Sequence, residues 1–198
     1  MRRAVEGFVP ASPREHSSRQ RILTELGTLE RPFDRDGGLV HVTGSGLLSG
    51  RRGTVLLVHK KLGIWVQPGG HVDAGEAPSD AAVREATEET GLAVHHPAGG
   101  PCLLHLDVHP AADEHTHLDL RYLLICDDDG DPSPGEGESR QVRWFALDEA
   151  LGVAGGDGGL GDALERLRAA GSAGLGLGLP GTPGPTRSLR GSARGPMA

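Results

Sequence analysis

Apolar residues first recur at helical spacing at Ile22, Leu23, Leu26 and Leu29, behind the segment Ser12-Pro13-Arg14-Glu15. A Ser cap, Pro at the first helical position and Glu three after the cap predict a helix from Pro13 to about Glu30, ending before Pro32. The chain then turns β-branched and apolar at 39–48 and 54–59, with Ser49-Gly50-Arg51-Arg52-Gly53 between the two runs. These runs predict two strands paired through a hairpin loop. Ile64-Trp65-Val66 predicts a short strand that stops at the breaker Pro68-Gly69-Gly70. Start chemistry at Pro78, Ser79 and Asp80, helix formers from Ala81 to Thr90, and Gly91 at the left-handed end position predict a second helix. Further strands are predicted at 102–108, 117–126 and 141–145, and a last helix at 160–170. Strands outnumber helices, and the pattern suits an α/β fold, a mixed sheet with helices packed on its faces.

Composition divides the chain. Its 198 residues include 32 Gly and 14 Pro, about twice the usual share. Residues 171–198 hold 8 Gly and 4 Pro, with no acid, no aromatic and only Arg187, Arg190 and Arg194 charged, so a flexible tail is expected there, and the remaining chain is still loop-rich. The expected organisation is an N-terminal helical extension over 1–37, one domain over 38–170 and the tail over 171–198. Aromatic residues make up only 3 %, so the core must rest on Leu, Val and Ala. No run approaches the roughly 18 apolar residues of a membrane span, and Met1–Pro10 lacks the apolar stretch of a signal peptide. The expectation is a cytoplasmic protein with no membrane partner. A net charge of −7, with Lys only at Lys60 and Lys61, argues against a nucleic-acid polymer as partner. Phosphate chemistry in so acidic a chain needs metal cations as intermediaries. Cys102 and Cys126 match neither a zinc spacing nor a disulfide framework.

The segment with chemical content is Gly70-His71-Val72-Asp73-Ala74-Gly75-Glu76 followed by Arg84-Glu85-Ala86-Thr87-Glu88-Glu89-Thr90-Gly91-Leu92. On a helix, Glu85, Glu88 and Glu89 stand at i, i+3 and i+4, so three carboxylates share one face. Like charges this close repel unless water or cations neutralise them, and oxygen-only ligands select hard ions such as Mg²⁺ or Mn²⁺. Ala82, Val83 and Ala86 occupy the opposite face, small enough for close packing on a sheet. Arg84 can pair with Glu88 or reach back to Glu76. Pro68-Gly69-Gly70 has little side-chain bulk, so a backbone carbonyl and a diphosphate can both approach a metal there. Bound ions would neutralise the diphosphate, polarise phosphorus and lower the pKa of a water. The residues point to metal-assisted hydrolysis of a phosphoanhydride.

Gly70–Leu92 resembles the signature box of the Nudix hydrolases, with matches at Gly70, Glu76, Arg84, Glu85, Glu88, Glu89 and Gly91. Ala86 stands where a bulkier aliphatic is usual. Leu62-Gly63-Ile64-Trp65-Val66-Gln67-Pro68-Gly69-Gly70 is similar to the family's lead-in, and the likeness covers roughly 38 to 150. The resemblance implies the Nudix fold, an α/β/α sandwich around a mixed sheet, here with an added N-terminal helix. It implies metal ligation by the Gly69 carbonyl, Glu85, Glu88 and Glu89, with Glu76 and Arg84 bracing loop and helix. Some members add an acid about six residues before a strand Trp, which here is Glu138, with Glu136 as fallback. The general base varies in the family, leaving Glu85, Glu89 and Glu138, with Glu85 placed first. The implied substrate is a nucleotide-type diphosphate, and the competing reading is a non-catalytic nucleotide-binding or regulatory module on the same fold. A homodimer is the ordinary expectation for a soluble enzyme.

Other positions are more ambiguous. His109, Asp113, Glu114, His115 and His117 form a polar group, and a solvated loop leading into a strand accounts for it, since only two of these histidines share a sheet face. The run from His115 to Leu123 is similar to a segment that lines the substrate side of the sheet in some bacterial Nudix proteins. On that likeness Asp119, Arg121 and Tyr122 are substrate-pocket candidates, with core packing as the alternative for Tyr122. Gly70 and His71 are further substrate candidates; His71 either touches a phosphate or is a strand residue with a solvated ring. Trp65 either stacks on a base or fills the core beneath the loop, and the core is favoured.

Overall fold

The computed structural model describes residues 1–111, 114–127, 130–154 and 158–172. Asp113, residues 155–157 of the expected connecting loop and the tail beyond Ser172 lie outside the described residues. The chain opens on a short helix, α1 (Arg2–Gly7), absent from the sequence expectation because only Val5 and Phe8 anchor it apolarly. Ser12 then accepts the backbone N–H of Glu15 at 3.2 Å, and Pro13 starts α2 (Pro13–Thr28) as the capping pattern requires.

Strand β1 (Val40–Ser49) is wholly buried after its first residue. It is followed by β2 (Thr54–Val58), β3 (Trp65–Val66) and β4 (Gly69–His71). The expected β1/β2 hairpin does not form: Gly50 and Gly53 make a single isolated bridge, and the two strands enter different sheets. Strand β1 pairs with β4 over Thr43–Ser45 and with the later strand β7 (Thr116–Cys126) along its whole length, while β2 takes its partners in the other sheet. Gly69-Gly70, expected to end the strand before it, itself forms most of β4. A Cβ at Gly69 would lie 2.3 Å from Ser45 Oγ, so only glycine allows β4 this close to β1.

Helix α3 (Pro78–Thr90) ends at Gly91, which takes the left-handed conformation at φ 70°. The chain continues through β5 (Val94–His95), β6 (Cys102–Pro110), β7, β8 (Val142–Phe145), α4 (Leu147–Val153) and α5 (Gly158–Ser172). Two-residue β5 and seven-residue α4 were too short to show a period in the sequence. Helix α5 takes Gly171 and Ser172 from the expected tail. Strands β4, β1, β7, β5 and β6 form a mixed five-stranded sheet in which β1 and β7 are parallel. Strands β3, β2 and β8 form a second, antiparallel sheet.

Register and alternation give the larger sheet two contrasting faces. Val42, Gly44 and Gly46 of β1 line up with Leu118, Leu120 and Tyr122 of β7 and with Leu106 and Val108 of β6. This apolar face carries α3, pressed so close that a Cβ at Gly44 would lie 2.2 Å from Pro78 O. The opposite face is polar along the same strands: His41, Thr43 and Ser45 beside His117, Asp119 and Arg121, beside His109, Asp107 and His105. Further along, Leu47 and Leu123 join Leu56, Phe145, Leu160, Leu164 and Leu167 in the core between the second sheet and α5. Trp65 packs there against Phe145, with ring centroids 4.9 Å apart. The N-terminal extension closes one side: Glu15, buried, accepts two hydrogen bonds from Arg166 of α5 at 2.8 and 2.6 Å. Among the described residues no helix is long and apolar enough to cross a membrane.

Candidate active site

The helix that carries Glu85, Glu88 and Glu89 is held by its small face. Ala81, Ala82 and Ala86 are fully buried against the apolar sheet face, which turns the carboxylates outward toward β4. There the backbone takes part directly. Gly69 donates its N–H to Glu89 Oε2 at 2.8 Å, and a Cβ at Gly70 would lie 2.5 Å from the Glu85 carboxylate.

Arg84 is the hub of the box. Its Nε and Nη2 each bond the Glu76 carboxylate at 3.0 Å, Nη2 also bonds His71 O at 2.9 Å, and Nη1 bonds Glu85 Oε1 at 2.8 Å. Glu88 Oε2 lies 3.5 Å from the same Nη1 and is more exposed. The two-point bond to Arg84 keeps the Glu76 carboxyl below the ordinary carboxylate range, and the same bond raises the arginine. Glu76 also accepts the Asp73 N–H at 2.9 Å, which closes the loop ahead of α3.

Glu138 arrives from a distant loop. Gly135 N–H bonds Glu88 O and Ser133 N–H bonds Thr90 O, so residues 133–138 cap the end of α3. The fit is tight: a Cβ at Gly91 would lie 2.0 Å from Ser133 O. Glu138 then pairs with Lys60 at 2.8 Å, a cation the sequence had not singled out for the site. Burial pushes the Glu89 carboxyl up to about 7, and the nearby Glu85 and Glu138 charges add to it against the Gly69 hydrogen bond. Burial likewise raises Glu85, against the bond from Arg84. Carboxylates crowded on a glycine backbone with no side chain in the way form a hard-oxygen donor set, and the residues present fit Mg²⁺ or Mn²⁺.

One cleft borders this centre, and another is lined by residues of the polar sheet face. The first, of about 790 Å³, runs past Glu85, Glu76 and His71 to Phe33, Asp34 and Arg35. The other, of about 300 Å³, lies between the sheets, with His109, His117 and Arg121 on one wall and Ile64, Val66 and Gln67 on the other. Asp119 accepts from Thr43 and Ser45 hydroxyls, Gln67 Nε2 and Arg121 Nε at 2.7–3.3 Å, so its oxygens are already engaged in orienting Arg121. Arg121 is 1 % exposed, and among the described residues its Nη1 and Gln67 Oε1 have no hydrogen-bond partner. Tyr122 lies on the other face, buried in the core under α3, and is corrected from pocket to core residue; strand alternation separates it from Arg121. His71 turns its ring away from Glu85 toward His41 and His117.

The family model of the NUDIX domain matches residues 40–166. The chain belongs to the Nudix family. A Mycobacterium tuberculosis relative, named "Putative 8-oxo-dGTP diphosphatase 3", is 34% identical over 103 residues, which cover 48% of this chain and 45% of that protein. The Bacillus subtilis "Uncharacterized Nudix hydrolase YvcI" is 29% identical over 109 residues, or 52% of this chain and 66% of that one. This Nudix chain thus spans about half the length of the first of these relatives. Its fold is similar to the crystal structure of a NUDIX-family hydrolase from Clostridium perfringens, with a TM-score of 0.52 at 25% identity over 64% of this chain and 97% of that chain. A C. elegans Ap4A hydrolase complex shares the fold with a TM-score of 0.57 at 20% identity, over 67% and 98% of the two chains.

Proposed function

We propose that this chain hydrolyses a phosphoanhydride linkage in a nucleoside diphosphate derivative or nucleoside triphosphate, by water attack at phosphorus, with Mg²⁺ as cofactor and Mn²⁺ as substitute. The observation that carries this reading is the convergence of Glu85 and Glu89 on the Gly69-Gly70 backbone, with Glu138 brought alongside. Family membership and the diphosphatase name of the M. tuberculosis relative support the same reaction class.

The Gly69 carbonyl, Glu85, Glu88, Glu89 and Glu138 are the groups that would hold the ions. When bound, the ions supply positive charge that neutralises the diphosphate and polarises phosphorus. The remaining work falls to the chain. Arg84, clamped by Glu76, holds the Glu85 carboxylate in one orientation and ties it to the backbone of β4. Glu85 is placed first as general base, taking the proton of the attacking water on a carboxylate oxygen, with Glu89 and Glu138 as alternatives. Gly70 keeps the approach to Glu85 clear for the diphosphate. Arg121 and Gln67 are assigned to the nucleoside end in the intersheet cavity, with Asp119 positioning Arg121. His71 borders the larger cleft but faces other histidines, so no phosphate contact is assigned to it.

A turnover panel of nucleoside triphosphates, nucleotide sugars, ADP-ribose, dinucleotides and dinucleoside polyphosphates, with Mg²⁺ or Mn²⁺, tests the proposal. Glu88→Gln and Glu89→Gln should each lower turnover at least about a hundredfold, as loss of transition-state charge stabilisation does. Full activity in Glu89→Gln overturns the site assignment. Absence of metal-dependent turnover across the panel shifts the reading to a non-catalytic nucleotide-binding module.

A further inference from the structure

Strand β4 has different chemistry on its two faces. Gly70 looks toward the carboxylates of α3, whereas the next residue, His71, projects onto the polar sheet face. On that face it meets His41 of β1 and His117 of β7, which stand side by side in the parallel register. Ring centroids are 5.0 Å apart for His41 and His71, 5.0 Å for His41 and His117, and 5.4 Å for His71 and His117. One nitrogen from each ring lies within 4.8 Å of the other two. His41 is fully buried, and the other two are partly buried.

The sequence expectation grouped His115 and His117 with the loop that leads into β7, and the tertiary fold brings His41 and His71 from two neighbouring strands to His117. His115 stands edge-on to His41 at 5.2 Å, and His109 lies 5.5 Å from His117. His109, outside the triad, has its Nδ1 hydrogen-bonded to the buried Asp107 at 3.1 Å.

We infer that His41, His71 and His117 form a binding site for one divalent transition-metal ion of the Zn²⁺ class, separate from the carboxylate centre. Imidazole nitrogens suit zinc, nickel, copper and cobalt, whereas Mg²⁺ takes oxygen ligands and is served by the glutamates. The geometry is close to what coordination needs. Metal–nitrogen bonds of about 2.0–2.1 Å in a tetrahedron put ligand nitrogens about 3.4 Å apart, so each ring nitrogen need move inward by only about 0.8 Å. Rotation of side chains already in mutual contact supplies that distance. Three protein nitrogens leave a fourth position for water or for His115. Because the ligands come from β4, β1 and β7, a bound ion ties together three strands of the larger sheet. One of these is β4, which carries the glycine backbone of the candidate active site.

The test uses the full chain, stripped of metal and supplied with excess Mg²⁺ to occupy the carboxylates. Equilibrium dialysis with metal analysis should find one Zn²⁺ per chain, and Co²⁺ should give the strong visible absorption of four-coordinate nitrogen ligation. His71→Gln and His117→Gln should each weaken Zn²⁺ binding at least about tenfold. Glu88→Gln and Glu89→Gln should leave it unchanged. No stoichiometric Zn²⁺ in excess Mg²⁺, or binding undiminished in both histidine variants, or binding lost in the glutamate variants, overturns the site. If the histidine variants fail to fold, the unmodified chain decides the matter. Zn²⁺ should then raise its thermal midpoint and protect its histidines from diethyl pyrocarbonate, and the absence of both effects overturns the proposal.

Discussion

The backbone N–H of Gly69 bonds the Glu89 carboxylate at 2.8 Å, so the last acid of the helical box is joined directly to the strand that faces it. That bond holds a carboxyl whose proton affinity burial has already raised to about 7. The group is therefore costly to keep charged in the folded chain and suited to a positive ligand. Gln at this position keeps an acceptor for the Gly69 N–H while removing the charge. Glu89→Gln should thus leave the urea unfolding midpoint at pH 8 unchanged or higher, even as turnover falls. A clear loss of stability would mean that the charge itself holds the loop.

The N-terminal extension should prove integral to the domain. Glu15 is 1 % exposed and depends on Arg166 from the far end of the chain. Arg166→Met strands a buried carboxylate, which should cost about 3 kcal/mol in urea unfolding. Adding Glu15→Gln should recover part of that loss, because the remaining group is then neutral. A cost below about 1 kcal/mol would show that the pair contributes little.

Acid sensitivity should trace in part to His105. Burial, reinforced by the Arg121 charge, lowers its pKa from the ordinary 6.5 to about 3. Between those values the unfolded chain binds a proton at this residue and the folded chain does not. Its contribution to stability is complete above pH 6.5 and declines as pH falls toward 3, by about 2 kcal/mol at pH 5. Urea midpoints at pH 7 and pH 5 should differ less in His105→Gln than in the unmodified chain. Equal differences would remove His105 from the account.

The contact between α3 and β1 gives a paired test. Gly44→Ala drives a methyl into the backbone carbonyl of Pro78, which cannot rotate away, and should cost roughly 1–3 kcal/mol or more. Gly27→Ala in α2 meets only the far end of Arg2 at 3.8 Å and should stabilise by up to about 1 kcal/mol. Thermal or urea unfolding distinguishes the two, and similar effects from both would contradict the packing described.

How much of this was legible beforehand depended on the range of the interaction. Ser12 with Pro13, Gly91 at its left-handed position, and the i, i+3, i+4 spacing of Glu85, Glu88 and Glu89 are local patterns, and helix geometry alone turns them into structure. Locality left Arg84 with Glu88 or Glu76 as partner and the Nudix resemblance favoured Glu76, which Arg84 bonds at 3.0 Å. The supposed β1/β2 hairpin failed because strand partners are chosen by long-range contacts, and β2 pairs with β3 and with β8, much later in the chain, rather than with its neighbour β1. Asp119, Arg121 and Tyr122 were adjacent pocket candidates, yet strand alternation sends the first two to the polar face and the third to the core. The sequence by itself therefore determined helices α2, α3 and α5 and the shared face of Glu85, Glu88 and Glu89, each a matter of short-range spacing. Only tertiary structure decided the gathering of His41, His71 and His117, because residues so far apart in the chain meet only after the strands choose partners and register.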